Sequence, residues 1–171
     1  MNILFVCTGN TCRSPMAEGY LNSKKINGVT VLSRGLAADG SYVSLNSKTV
    51  MEEAGIDISG HISRQITESD INKADKIICL SPSHKAVLLS AGVPESKLFV
   101  LGNGISDPFG GSIETYRRCR DEIFKAVDRL IADGFFSIIS VTPAESKHIK
   151  EIAKLEKVCF SEPWSEEGIL E

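Results

Sequence analysis

This 171-residue chain has no long apolar segment and no surplus of basic residues. It also lacks an even number of cysteines of the kind that forms a set of disulfides. No apolar stretch is long enough to span a bilayer. The apolar run at residues 3–6 is too short for the core of a signal peptide and lacks a basic leader. The net charge of −3 gives no support to nucleic-acid binding, which favours a basic face. Five cysteines, an odd number, indicate buried thiols and a reactive one in a reducing compartment. We therefore expect a cytoplasmic protein.

The remaining composition is that of an ordinary globular protein, with 42% hydrophobic and 24% charged residues. Short apolar runs predict strands at residues 2–6, 29–33, 76–80 and 98–101. Capping residues and helical spacing predict helices that begin at residues 14, 44, 67, 81 and 112. Strands that alternate with helices imply a parallel sheet covered on both faces, with ligands at the carboxyl ends of the strands. The predicted fold class is therefore α/β.

The most informative stretch is residues 7–15, CTGNTCRSP, between the first strand and the first helix. Backbone N–H groups in such a loop can point inward and bind an anion, and the helix N-terminus adds its positive dipole end. Gly9 and Asn10 tolerate the backbone angles that this requires, and Arg13 offers a planar fork to phosphate oxygens. The same features favour the thiolate form of Cys7. We therefore predict that Cys7 is a nucleophile aimed at the phosphorus of a bound phosphate group.

Other interpretations of these residues stay open from spacing alone. Cys7 could be a buried thiol at the end of a strand and Arg13 a surface charge. A zinc site built on Cys7 and Cys12 lacks a second pair of ligands. The proton that a leaving group needs could come from Asp107 in the sequence ISDPFGG, although an aspartate before proline is usually a turn residue. Phe109 could form a wall of the cleft or belong to the core.

The loop at residues 7–15, together with Asp107-Pro-Phe109-Gly, resembles the low-molecular-weight protein tyrosine phosphatase family over residues 1–133. The resemblance implies a Rossmann-like sheet and a two-step reaction without metal or cofactor on a phosphorylated protein or peptide. It implies that Cys7 forms a phosphocysteine and that Asp107 protonates the leaving group and then assists the attacking water. The residues that it assigns to phosphate binding, through loop amides and the guanidinium group, are Thr8, Gly9, Asn10, Thr11, Cys12 and Arg13.

Further positions match the family's supporting residues. Asn10, Ser14, Ser33 and His61 resemble the polar network that shapes the loop and steadies the thiolate, because a hydroxyl that donates to sulfur stabilises its charged form. Cys12 resembles the family's neighbouring cysteine, which can form a reversible disulfide with the nucleophile and protect it from further oxidation. A small packed thiol is the simpler interpretation of Cys12.

Thr11 departs from the tyrosine-directed pattern, which usually has a larger aliphatic residue there. Threonine at this position, with Gly110 after Phe109, resembles the bacterial protein arginine phosphatases of the same family. We therefore favour phosphoarginine over phosphotyrosine as the substrate, with Thr11 and Phe109 lining its pocket. The competing enzyme class is arsenate reduction coupled to thioredoxin, which needs two further cysteines close together. A phosphate-binding module without activity is the alternative that is not an enzyme.

The C-terminal residues do not fit the phosphatase pattern. A strand-like run at residues 135–141 precedes a capping box that begins at Thr142, and apolar residues follow at helical spacing from Ile149. We therefore predict a phosphatase domain at residues 1–134 and a short strand-helix extension at residues 135–171.

The sequence CFSEPWSEE at residues 159–167 resembles the start of a GNAT-type ribosomal-protein alanine acetyltransferase. Because the acetyl-CoA pyrophosphate loop of such enzymes is missing, we infer no acetyltransferase activity. The extension is then either a fragment of a fused second enzyme or a helix that packs on the phosphatase or mediates dimers. The oligomeric state is not predicted.

Overall fold

The computed structural model describes residues 1–137 and 145–169. Its sheet is parallel and has the strand order β2-β1-β3-β4. The strands are β1 (Asn2–Cys7), β2 (Thr30–Gly35), β3 (Lys76–Cys79) and β4 (Leu98–Val100). The α-helices are α1 (Arg13–Ser23), α2 (Leu45–Glu53), α3 (Glu68–Lys73), α4 (Pro82–Ser90), α5 (Ile113–Ala132) and α6 (Ile149–Cys159). This architecture confirms the predicted parallel α/β sheet.

Strand β1 is buried on both faces, which explains its continuous apolar sequence. Ile3 and Phe5 belong to a core cluster that also contains residues of α1 and α5. Leu4 and Val6 belong to a second cluster, with Leu88 of α4. Since β1 is central and parallel to its neighbours, the loop that follows Cys7 lies at the carboxyl edge of the sheet.

Serine side chains begin three of the helices, as the sequence predicts. Ser44, Ser81 and Ser112 each accept a hydrogen bond from the backbone N–H three residues later. The capping box of Thr67 and Asp70 at the start of α3 is also confirmed.

The prediction that Ser14 caps the first helix is wrong. Helix α1 begins at Arg13, and its N-cap residue, Cys12, makes no capping hydrogen bond with its side chain. The hydroxyl group of Ser14 contacts Cys7 and Asn10 instead. A serine that the pattern assigns to helix capping therefore lies in the first helical turn, and its hydroxyl group contacts the loop before the helix.

Gly35, the last residue of β2, lets the strand approach the loop after β1. A Cβ atom at Gly35 would lie 2.6 Å from the Thr8 carbonyl oxygen and 3.1 Å from the Asn10 Cβ atom. The N–H groups of Leu36 and Ala37 bind the carbonyl oxygens of Cys7 and Thr8 at 2.9 and 2.8 Å. The absence of a side chain at Gly35 thus permits the loop to be held against the end of β2.

The chain divides into two compact units, Met1–Ile138 and Ile139–Glu171. Phe135 and Phe136 form a turn in the first unit, and Phe136 belongs to its core, so the strand predicted at residues 135–141 is wrong for these two residues. The rest of that run, and the start of the capping box at Thr142, lie outside the described residues.

The second unit contains a 3-10 turn (Ser146–His148) and helix α6, which buries Ile149 and Ala153. The proposed domain boundary and the acetyltransferase resemblance stay predictions. Within the described ranges, 1–137 and 145–169, no helix is long and apolar enough to cross a membrane.

Candidate active site

Cys7 occupies the carboxyl end of β1, and its side chain is 3% exposed. Its sulfur lies 3.0 Å from the hydroxyl oxygen of Ser14 and accepts a hydrogen bond from the backbone N–H of Asn10 at 3.2 Å. Two polar groups therefore converge on the sulfur atom, one from the loop that follows it and one from the first turn of α1.

The position of the Ser14 hydroxyl hydrogen follows from the orientation of the Asn10 side chain. The backbone N–H of Arg64 donates to Asn10 Oδ1 at 2.9 Å, which identifies Nδ2 as the donor end of the amide. Asn10 Nδ2 then donates to Ser14 Oγ at 2.9 Å. The hydroxyl hydrogen of Ser14 is free to point at Cys7 Sγ, an orientation that stabilises the thiolate.

Asn10 itself has a φ of 55° and is completely buried. Its Nδ2 also donates to Ser33 Oγ at 2.8 Å, and Ser33 Oγ donates to a carboxylate oxygen of Glu18 at 2.5 Å. His61 Nε2 lies 3.0 Å from the Asn10 carbonyl oxygen, and His61 Nδ1 lies 3.8 Å from Glu18. The predicted supporting residues thus form one network, and it ends on the carboxylate of Glu18.

Arg13 is almost fully buried and approaches Asp107 across 94 residues of sequence. Its Nη2 donates to Asp107 Oδ2 at 2.7 Å, and its Nη1 donates to the carbonyl oxygen of Ile105 at 3.3 Å. Its Nε has no hydrogen-bond partner among the described residues although it is buried. A buried N–H group without a partner is costly, so Arg13 keeps a donor that an oxyanion could satisfy.

Asp107 and Phe109 lie on the loop before α5, on the other side of a pocket of about 270 Å³. The Asp107 side chain is 53% exposed, and its Oδ1 accepts from the backbone N–H of Phe109 at 3.2 Å. Phe109 is 80% exposed, so it walls the pocket and is not a core residue. The pocket is lined by Cys7, Thr8, Gly9, Thr11, Cys12, Arg13, Asp107 and Phe109.

Cys12 is buried among hydroxyl groups. Its sulfur lies 3.4 Å from the Tyr116 hydroxyl, 3.5 Å from Ser44 Oγ and 3.7 Å from Thr11 Oγ1. Burial, with the hydrogen bond to Cys12, raises the pKa of Tyr116 to about 12. Cys7 and Cys12 are both free thiols here, and a reversible disulfide between them stays a prediction.

The other three cysteines do not line this pocket. Burial raises the pKa of both Cys79 and Cys119 to about 12, and the two belong to different core clusters. Cys159 is exposed in the second unit. Across the part of the chain that the structure describes, no group of three His, Cys, Asp or Glu side chains is arranged to hold a metal ion.

Among the participants that were not predicted are Glu18, Arg64 and His84, whose Nε2 lies 3.0 Å from Thr8 Oγ1. Glu18 lies one helical turn after Ser14, and this spacing could have indicated it. His84 follows the Ser81-Pro82 helix start, which the sequence places at the carboxyl end of a neighbouring strand, at the same sheet edge as Cys7. Arg64 acts through its backbone N–H, for which the sequence carries no signal.

A family comparison covers most of the first unit. The sequence model of the low molecular weight phosphotyrosine protein phosphatases matches residues 2–134. The chain belongs to this family, which comprises cysteine-dependent phosphatases acting on phosphorylated proteins.

Three curated relatives show which activities have been assigned to similar chains. A protein-arginine-phosphatase of Geobacillus stearothermophilus is 44% identical over 138 residues, which cover 75% of this chain and 92% of the relative. The low molecular weight protein-tyrosine-phosphatase PtpB of Staphylococcus haemolyticus is 38% identical over 76% of this chain and 97% of the relative. Arsenate reductase 2 of the same species is 37% identical over 74% of this chain and 92% of the relative.

A solved structure described as the YwlE arginine phosphatase, C7S mutant with phosphorylated active site serine, superposes with a TM-score of 0.75. It is 33% identical in sequence, and the match covers 80% of this chain and 97% of that chain. The fold predicted from the resemblance is thereby confirmed.

Proposed function

We propose that this chain hydrolyses phosphoarginine in proteins through a phosphocysteine intermediate, with Cys7 as nucleophile, Arg13 as phosphate ligand and Asp107 as acid and base. The observation that carries this assignment is the environment of the Cys7 sulfur. It receives the N–H of Asn10 and faces the hydroxyl of Ser14, at the wall of a pocket that Arg13 and Asp107 also line.

In the first step, the Cys7 thiolate attacks phosphorus and forms an S–P bond. The P–N bond to the arginine substrate breaks, or the P–O bond of phosphotyrosine, and its electron pair goes to the leaving atom. Asp107, which takes up a proton from solvent once it has left Arg13, donates that proton to the leaving atom. Arg13 and the inward N–H groups of residues 8–13 hold the phosphoryl oxygens, where negative charge is concentrated.

In the second step, water attacks the phosphocysteine. Asp107, now ionised, accepts a proton from the water, the S–P bond breaks, and its electron pair returns to Cys7 as a thiolate. Inorganic phosphate leaves. The hydrogen bonds from Asn10 and Ser14 favour this step as well, because they stabilise the sulfur as a leaving group in its charged form.

The ion pair between Arg13 and Asp107 affects the order in which substrate binds and Asp107 reaches the leaving group. The oxyanion must replace the carboxylate at Arg13 Nη2 before Asp107 can turn toward the leaving group. Asp107 is half exposed, so it can leave this contact without disturbing the core. Substrate binding therefore replaces Asp107 by a phosphoryl oxygen at Arg13, and the same exchange frees the Asp107 side chain to act as the acid.

The preference for phosphoarginine rests on Thr11, Asp107 and Gly110. Thr11 places a hydroxyl group in the pocket wall, and Asp107 offers a carboxylate to a guanidinium group. Open space surrounds the position where a Cβ atom of Gly110 would lie, so the wall beyond Phe109 is thin. A phenyl ring would have less apolar surface to pack against than in a pocket closed by a second aromatic side chain.

Arsenate reduction is the second candidate, because two of the similar chains carry that name. The nucleophile would need two further thiols nearby to relay electrons. Cys79 and Cys119 are buried in separate clusters with strongly raised pKa values, and they do not suit that role.

Five free cysteines support a reducing compartment, and we propose the cytoplasm as the place of action.

The test compares rates on phosphoarginine and phosphotyrosine peptides of the same sequence. We expect wild type to prefer phosphoarginine, and Thr11→Ile to shift the ratio toward phosphotyrosine by roughly 10-fold. Thr11→Val removes the hydroxyl with little change of volume, and it separates polarity from size. An unchanged ratio in Thr11→Ile would refute the specificity assignment, and retained turnover in Cys7→Ser would refute the mechanism.

A further inference from the structure

His84 is a buried histidine that the two-step mechanism does not use. It lies in the first turn of α4 and is 5% exposed. Its Nε2 lies 3.0 Å from Thr8 Oγ1, and its Nδ1 lies 2.9 Å from Ser81 Oγ. Both ring nitrogens are therefore occupied, one by the phosphate loop and one by the cap of its own helix.

The charged groups that face the His84 ring are Arg13 and Asp107. Burial, followed by repulsion from Arg13, lowers the pKa of His84 to about 4, and Asp107 opposes this shift. The ring is consequently neutral at neutral pH. A neutral imidazole can donate from one nitrogen and accept at the other, so it orients both hydroxyl partners without adding a second cation beside Arg13.

Thr8 is the first loop residue after Cys7, and its backbone and its side chain are held by different neighbours. The Thr8 carbonyl oxygen accepts from the Ala37 N–H at 2.8 Å, which ties the loop to the segment after β2. The Thr8 hydroxyl reaches His84, which ties the loop to α4 on the other side of β1. Thr8 is thus held from both neighbouring parts of the sheet edge.

On the basis of the proposed phosphatase function, we propose that His84 is a positioning residue that holds Thr8 and thereby fixes the first turn of the phosphate loop. The loop can present its N–H groups to an oxyanion only while this turn keeps its shape. Loss of the contact lowers oxyanion affinity and turnover together, because phosphate and transition state use the same amides. His84 acts through Thr8 and does not itself touch the reacting atoms.

The test uses two amide substitutions that differ in reach. In His84→Gln the amide extends to about the place of Nε2 and can contact Thr8. In His84→Asn it ends near the place of Nδ1 and can contact only Ser81. We expect His84→Asn to lose roughly 10-fold in kcat/KM on an aryl phosphate, and His84→Gln to lose clearly less. Ser90→Ala, a change at an exposed position of the same helix, should keep wild-type activity.

A double-mutant cycle with Thr8→Val isolates the contact. The combination with His84→Asn should be no worse than either single variant, and thermal unfolding of each variant verifies that it folds. Equal losses in His84→Gln and His84→Asn, or additive losses in the cycle, would overturn the positioning role. Vanadate affinity, measured by calorimetry, should follow the same order. Vanadate affinity reports on the shape of the loop independently of turnover. If the wild type failed to hydrolyse phosphate esters, that result would refute only the proposed function.

Discussion

Replacing Ser14 by alanine removes one of the two polar groups that contact the Cys7 sulfur, at 3.0 Å, and leaves the N–H of Asn10 in place. A hydrogen bond to a charged group contributes about 1.5–3 kcal/mol. Because the bond stabilises the thiolate more than the thiol, we expect Ser14→Ala to lower the ratio of thiolate to thiol at Cys7 by about 10- to 100-fold.

The assay is the pH dependence of alkylation by iodoacetamide, since the thiolate is the reactive form. Cys79 and Cys119 should stay silent in the folded protein, because burial raises their pKa values to about 12. The exposed Cys159 reacts, and its signal is subtracted with the Cys7→Ser variant. The alkylation curve of Ser14→Ala should move to higher pH, and its turnover of an aryl phosphate at neutral pH should fall.

Ser47→Ala is the matched control, because Ser47 is another fully buried serine hydroxyl and makes no contact with Cys7. It should alkylate like the wild type. If Ser14→Ala also followed the wild-type curve, the hydroxyl would not donate to the sulfur, and the hydrogen positions derived from Asn10 would be wrong.

Two further outcomes are expected. Asp107→Asn should lower turnover of a phosphoarginine peptide on the order of 100-fold. It should strengthen vanadate binding, because Arg13 no longer has to give up an ion pair with a carboxylate. Weaker vanadate binding would contradict the proposed exchange of partners at Arg13. The pKa of His84 is about 4 in the folded protein, below the ordinary value of about 6.5, so the unfolded chain binds a proton between these values that the folded chain does not. Stability should therefore fall as pH decreases, with His84 accounting for about 2 kcal/mol at about pH 5. Urea unfolding at neutral and acid pH should show a smaller acid loss in His84→Gln, and equal losses would contradict this account.

Much of the fold could be predicted because its signals are local. The buried strand at β1, the serine caps of α2, α4 and α5 and the capping box at Thr67 each depend on a few consecutive residues. The loop at residues 7–13 also carries its chemistry within one short stretch, so Cys7 and Arg13 were recognisable.

The parts that were missed depend on contacts between distant residues. Thr8 meets His84 across 76 positions because β1 and β3 are neighbours with a particular register. Ser14 matched the pattern of a helix cap, yet its hydroxyl is already engaged by Asn10 and Cys7. Local patterns describe what a side chain can do, and tertiary neighbours decide which of those contacts forms.

The left-handed backbone of Asn10 has a consequence for sequence variation. Glycine would adopt that φ without strain but would leave two hydroxyl groups without their amide donor. Aspartate would offer two acceptors where Ser14 and Ser33 require donors, and would add negative charge near the thiolate. Glutamine has the donor but is longer and tolerates positive φ poorly. We expect every single replacement of Asn10 to impair function. Sequence variation in this loop should therefore occur at its other positions.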